Sequence, residues 1–339
     1  GAVHDLNTFA INMIELGDLA HIDPDTAGLL PLPVSHIFGL MVFCIVVSYG
    51  GTCVFSEPTP KSFVVCMHKY DPEVLVGVPT IYSGLLGLPN FKVKLDSARI
   101  ILSGGAPMPL SLADEFKAKF GKRINNGYGS TESKIFALNL DGPFESVGKI
   151  VPSTKVEILN DKGEVLPDGS TGEIVVSGKI LMQGYLDQPD LTAKVLKDGK
   201  YYTGDVGRVE DGYLYVSGRS KEMIIVAGHK VFPSEVEDVI RQHPIVKEVA
   251  VVGPPHKQLG QIVKAVIVTK EGEWSDKLSG SADDVKLARQ EMIHSLKEFC
   301  KENLKRELRP MEYELQPSSK PLPKTLAGKV DKKQLVESK

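Results

Sequence analysis

The run Arg99-Ile100-Ile101-Leu102-Ser103-Gly104-Gly105-Ala106-Pro107 sets an apolar segment against two glycines and a proline. A short apolar run bounded by turn residues predicts a buried strand. Just downstream, Leu112, Phe116 and Phe120 share one helical face, while Asp114, Glu115, Lys117 and Lys119 lie largely on the other. That spacing predicts an amphipathic helix over 110–120. Further upstream, 52–55 and 74–78 read as short buried strands, and Phe9, Ile11, Ile14 and Leu16 predict a helix over 8–19. Helices alternating with buried strands predict an α/β sheet over 1–139.

The pattern changes downstream. The segments 155–159, 172–176 and 213–216 read as short strands, with hairpin-type turns at Asn160-Asp161-Lys162-Gly163 and Asp211-Gly212. They predict a barrel-like β subdomain over 140–218. A hinge follows at 219–222, then a mobile α+β unit over 223–339. In this last unit a helix begins near Ser234, strands fall at 249–252 and 265–268, a polar loop is expected over 275–283, and a long charged helix over 284–308.

The chain has 339 residues and a net charge of −3. It therefore offers no basic field for nucleic acid or an anionic membrane. The uncharged stretch 37–55 is barely long enough to span a bilayer, and Gly50-Gly51-Thr52 interrupts it. A buried helix, a glycine turn and a buried strand are expected there, not a membrane span. Cys44, Cys53, Cys66 and Cys300 show neither Cys-x-x-Cys pairing nor zinc spacing, which suits a reducing, cytoplasmic setting. No signal peptide is evident, and Gly1 opens without a methionine, as a fragment would, so an upstream targeting signal would not be seen.

Chemistry concentrates in Asn126-Gly127-Tyr128-Gly129-Ser130-Thr131-Glu132. Small residues let a ligand approach the backbone, and Tyr128 offers an aromatic face to a base. Thr131 can hydrogen-bond a phosphate. Glu132 is a hard oxygen donor of the kind Mg²⁺ takes alongside phosphate oxygens. Read without its surroundings, the stretch is a glycine-rich turn before a helix. The Ser103–Pro107 turn follows a predicted strand, where α/β ligands sit. Asp205, after Thr203-Gly204, can accept hydrogen bonds from a ribose, and Arg219 can reach the same ribose or a phosphate. Read alone, that pair is a surface ion pair. Lys329, preceded by Gly328, suits delivery of a charge to an anion, although a basic tail explains it too. His36, ahead of an apolar helix, reads as structural when taken alone.

These motifs, in this order, resemble the AMP-forming adenylating superfamily of acyl- and aryl-CoA ligases, peptide-synthetase adenylation domains and beetle luciferases. The likeness covers essentially the whole chain and is tightest to fatty-acyl-CoA and 4-coumarate-CoA-type ligases. It rests on Gly127-Tyr128-Gly129-Ser130-Thr131-Glu132, Tyr202-Thr203-Gly204-Asp205, Gly218-Arg219-Ser220-Lys221-Glu222 and Pro323-Lys324-Thr325-Leu326-Ala327-Gly328-Lys329. The resemblance implies a multidomain α/β enzyme that uses ATP, Mg²⁺ and coenzyme A to convert a carboxylic acid into an acyl-adenylate and then a thioester. By that resemblance Gly104, Gly105, Ala106, Pro107, Asn126, Gly127, Tyr128, Gly129, Thr131, Asp205 and Arg219 would hold the nucleotide, with Tyr128 on adenine. Glu132 would hold Mg²⁺. Lys329 would bridge the reacting oxygens, Lys221 would be the hinge, and Ala227 and Gly228 would line the coenzyme A path. His36, Phe38, Val78 and Gly105 would border the acyl pocket.

Two departures qualify the likeness. The superfamily's Ser/Thr/Gly-rich phosphate loop, ending in Pro-Lys-Gly, is absent, and Gly1 fits its last glycine. The large domain is then truncated, and little ligase activity is expected of this chain alone. At Ile225 coumarate ligases carry lysine, whereas fatty-acyl ligases often carry an apolar residue, so an aliphatic acid, fatty or medium-chain, is expected. Two further readings remain: an adenylation protein that loads a carrier protein's pantetheine, and a non-catalytic adenylate-binding remnant.

Overall fold

The computed structural model describes residues 1–88, 93, 95–278, 282–324 and 330–337. The chain forms two compact units, Gly1–Val216 and Ser217–Lys339.

The first unit opens with β1 (Ala2–Val3) and α1 (Leu6–Leu19). The helix starts two residues before its apolar pattern, because the Asp5 carboxylate accepts from the Asn7 and Thr8 amides. Then come β2 (Ala27–Leu30), α2 (Ile37–Ser48), β3 (Thr52–Phe55), α3 (Pro60–Tyr70), β4 (Val74–Gly77), α4 (Pro79–Leu86), β5 (Ile100–Ser103) and α5 (Leu110–Phe120). The uncharged stretch is thus α2, a turn and β3. Among the described residues no helix is long and apolar enough to cross a membrane.

Strand β6 (Asn125–Ser130) lies parallel to β5, and β7 (Lys134–Asn139) returns antiparallel. The glycine-rich motif is therefore strand and hairpin, not a turn that opens a helix. Next are β8 (Gly148–Ile150), β9 (Thr154–Leu159), β10 (Gly172–Gly178), β11 (Gly184–Tyr185), α6 (Pro189–Val195), β12 (Leu196–Lys197), β13 (Lys200–Glu210) and β14 (Tyr213–Arg219), which crosses the boundary between units. One sheet runs β3-β2-β4-β5-β6-β7-β8-β14-β13-β10-β9. Its first five strands are parallel, as expected for strands joined through helices. The β-rich stretch, expected as a barrel-like subdomain of the large domain, is joined to its sheet by the pairing of β7 with β8.

The second unit has a 3₁₀ turn (Ser220–Glu222), β15 (Ile224–Val226), β16 (His229–Val231), α7 (Pro233–Ile240), β17 (Val246–Val252), β18 (Pro255–His256), β19 (Gly260–Gln261), β20 (Lys264–Thr269), α8 (Glu273–Lys277), α9 (Ala282–Asn303), β21 (Glu312–Gln316) and α10 (Lys332–Glu337). Strands β17, β20 and β21 form a sheet whose core includes Val251, Ile267, Met292 and Leu296. The polar loop expected from 275 is partly helix. Ser275 is buried in α8 and its hydroxyl pairs with that of Ser318 at 2.8 Å, so a hydrogen-bonded polar residue occupies a core position. Ile225 is 46% exposed while Ile224 is buried, as alternation along a strand requires.

Candidate active site

Register places the first part of the site. Gly77 lies opposite Ser103, and Ser103 opposite Asn126. Val78 and Gly104 therefore follow the carboxyl ends of β4 and β5, where ligands of parallel sheets are received, with Gly127 of β6 next in line. Gly104 is buried, and a side chain there would meet the Phe38 ring at 2.9 Å. Its missing Cβ thus makes room for Phe38. Gly105, Ala106 and Pro107 are exposed, and Gly105 turns the chain at φ +75°. Val78 Cγ1 lies 4.0 Å from where a Gly105 Cβ would sit. Phe38, Val78, Gly104 and Gly105 are therefore neighbours. His36 is exposed and caps α2, its Nδ1 accepting from the Phe38 amide at 3.2 Å.

Tyr128 and Asp205 lie 77 residues apart in sequence, and the Tyr128 hydroxyl donates to Asp205 Oδ2. The Tyr128 ring also meets buried Phe136 edge-on, with centroids 4.9 Å apart. Asp205 is 7% exposed. It is aimed by an irregularity in β13. Gly204 takes φ +69°, the Thr203 hydroxyl donates to Ile174 O at 2.7 Å, and the Asp205 amide donates back to Thr203 Oγ1 at 3.0 Å. Such a kink re-aims a strand side chain. Burial, and then the Asp205 carboxylate, push the Tyr128 phenol well above its ordinary range. The phenol stays protonated as a donor.

The turn 130–134 holds Thr131 and Glu132. Ser130 Oγ accepts from the amides of Glu132 and Ser133, both at 3.2 Å. Glu132 Oε1 accepts from the Tyr185 hydroxyl at 2.5 Å, and Glu132 O accepts from the Met182 amide at 2.7 Å. Burial raises the Glu132 carboxyl pKa. Hydrogen bonds from Tyr185, Ser130 and others outweigh it, and the net effect is lowering. Glu132 is therefore an ionised oxygen donor. Among the described residues no three His, Cys, Asp or Glu side chains gather as a metal site. This lone carboxylate fits the way Mg²⁺ binds beside phosphates and does not fit a metal cage made wholly of protein. Gly129 is required by the turn, since a Cβ there would lie 2.1 Å from Lys134 O.

The second unit carries the remaining expected residues. Arg219 and Lys221 are exposed, Arg219 at the end of β14 and Lys221 in the 3₁₀ turn. Ala227 and Gly228, at φ +47° and +88°, form the exposed two-residue turn joining β15 to β16. Lys329 lies outside the described residues.

Sequence reasoning missed His4, Lys134 and Tyr185. His4 Nε2 donates to Thr131 O at 2.6 Å. Lys134 is fully buried, and its ammonium donates to Ile180 O at 2.5 Å and Thr8 Oγ1 at 3.4 Å. Burial pushes its pKa down to about 8. One signal was available: Thr8 and Asn12, polar residues four apart, interrupt the apolar pattern of α1. Buried Asn12 donates to Ile135 O at 2.8 Å, beside Lys134.

Residues 1–186 match the family described as AMP-binding enzyme, and residues 235–329 match the AMP-binding enzyme C-terminal domain. A feruloyl-CoA synthase of Amycolatopsis sp is 37% identical over 275 residues, covering 78% of this chain and 55% of that protein. A long-chain-fatty-acid–CoA ligase of Bacillus subtilis is 32% identical over 319 residues, covering 90% and 53% respectively. The crystal structure of ATP-bound MatB from Rhodopseudomonas palustris superposes with a TM-score of 0.85 at 29% identity, over 99% of this chain and 65% of that one. The chain spans about half the length of the curated relatives it matches. The shared fold is mixed α/β with a large sheet and a smaller C-terminal part, and the chain belongs to the AMP-binding enzyme family.

Proposed function

We propose that this chain carries the adenylate site of an ATP-dependent acid–thiol ligase acting through an acyl-adenylate. The observation that most supports this reading is the hydrogen bond joining Tyr128 to Asp205. It sets an aromatic ring and a buried carboxylate side by side, the pair that an adenosine needs for its base and its ribose hydroxyls.

In the first step a carboxylate oxygen of the acid attacks the α-phosphorus of ATP, and the bond to pyrophosphate breaks. Tyr128 would stack on adenine, while Asp205 and Arg219 would hold the ribose. The Thr131 hydroxyl would bind the α-phosphate. Glu132 would hold Mg²⁺, which when bound screens the phosphate charge. Lys329 would meet the charge that builds as the new bond forms. In the second step the thiolate of coenzyme A attacks the acyl carbon and AMP leaves. Ala227 and Gly228 would border the thiol's path, after the second unit turns about Lys221.

An aliphatic acid suits the apolar surroundings. Val76 and Leu102 pack in one apolar cluster with Phe38, whose ring lies against Gly104. They line an aliphatic cavity of about 50 Å³.

The test supplies acyl-adenylates and coenzyme A to the chain and measures acyl-CoA by mass spectrometry. Turnover of aliphatic adenylates ahead of feruloyl-adenylate supports the reading. Aromatic preference sinks the aliphatic assignment, and no thioester from a chain that binds adenylates sinks the ligase.

A further inference from the structure

The turn 130–134 is fixed from outside its own hairpin. His4 Nε2–H holds the Thr131 carbonyl at 2.6 Å from β1's end. Buried Lys134 binds Ile180 O at 2.5 Å, while Met182, two residues on, donates to Glu132 O. Thr8 and Asn12, one turn apart on α1, reach Lys134 and Ile135. Contacts thus converge on residues 131–135 from two sides, one being His4 and α1 and the other the 180–185 segment.

A buried ammonium costs several kcal/mol in desolvation unless hydrogen bonds offset it. An apolar side chain would fill the same space without that cost. Hairpin closure does not need the charge either, since the Ser130 hydroxyl and the missing Gly129 side chain already satisfy the turn. What the ammonium and the His4 ring add is a fixed position for the backbone on both sides of Thr131 and Glu132.

We propose that His4 and Lys134 are positioning residues that hold the Thr131–Glu132 turn at the phosphate of the bound nucleotide. The inference rests on the adenylate site proposed above. Neither side chain touches the ligand. Each acts through the turn, so removing it weakens phosphate recognition and leaves adenosine recognition at Tyr128 and Asp205 intact.

Calorimetric titration of the full chain with AMP and with adenosine separates the two. His4→Ala and Lys134→Met should each weaken AMP about tenfold, or about 1.4 kcal/mol, while adenosine affinity holds within twofold. Lys134→Gln, which keeps a donor for Ile180 O, should recover part of the loss. His4→Ala removes a half-buried side chain at the chain surface, and it gives the same read-out if loss of the Lys134 ammonium unfolds the protein. Unchanged AMP affinity in folded variants overturns the proposal. So does an equal loss for AMP and adenosine, which would mark a merely structural role. A folded parent chain that binds neither ligand overturns the adenylate site itself.

Discussion

Two hairpins of this chain carry residues proposed to serve the reaction, and they are built to opposite ends. In β6–β7 the turn is braced although Gly129 and Thr131 are exposed: Gly129 has no room for a Cβ, Lys134 is fully buried, and hydrogen bonds tie the turn to Thr8 of α1, to Met182 and to Tyr185. In β15–β16 the turn is open: Ala227 and Gly228 are exposed, and a Cβ on Gly228 would meet nothing within 4 Å. A rigid turn suits groups that must meet a phosphate at fixed distance. An open turn suits a surface that is needed in one conformation and dispensable in another.

The comparison can be broken by substitution. The largest effect is expected at the braced site itself. Tyr128→Phe leaves the Asp205 carboxylate without its phenol donor, a charged hydrogen bond worth about 1.5–3 kcal/mol. Affinity for AMP, measured by calorimetry, should fall about 10- to 100-fold. An unchanged affinity would detach that hydrogen bond from nucleotide binding. Next comes Gly129→Ala, whose Cβ would press on the Lys134 carbonyl and the Ile135 Cα. Overpacking of this kind costs about 1–3 kcal/mol. Urea denaturation should show it, with AMP affinity falling in parallel. Gly228→Ala meets only the backbone preference, a cost of about 1–2 kcal/mol for a left-handed L-residue. AMP affinity should not move. If it falls as far as in Gly129→Ala, the two turns are not the opposites described here.

The most gradual effect is read by pH. Lys134 gives up its proton near pH 8 in the native state, against 10.5 in the unfolded chain. Between those values the unfolded chain binds more protons, so stability rises with pH. The slope should stay under about 1.4 kcal/mol per pH unit. Lys134→Met should flatten it in denaturation curves taken from pH 7 to 10.5. A slope that survives the substitution would place the titrating group elsewhere.

Much of this was legible in the sequence. The strand before Gly104, the helix Leu110–Phe120 and the uncharged stretch were readable because periodicity and turn residues are local signals. Tyr128 and Asp205 could be named as partners only through a resemblance, since nothing local links residues 77 apart. The β-rich stretch could be read as a subdomain of the large domain, but its attachment through β7 and β8 could not, because that long-range register shows in no window. Ser275 was misread as loop because its polar composition hides a hydrogen bond to Ser318. Lys134 escaped notice for the same reason, since a lysine two residues after a glutamate looks like a solvated charge until Ile180 is seen beside it.

The most direct test titrates a series of non-hydrolysable acyl-adenylate analogues into the full chain and into Asp205→Ala, with intact mass and folding confirmed. The account predicts binding that strengthens with acyl length in the parent chain and is lost in Asp205→Ala. A well-folded parent chain that binds none of them, or an Asp205→Ala variant that binds them equally well, would contradict it.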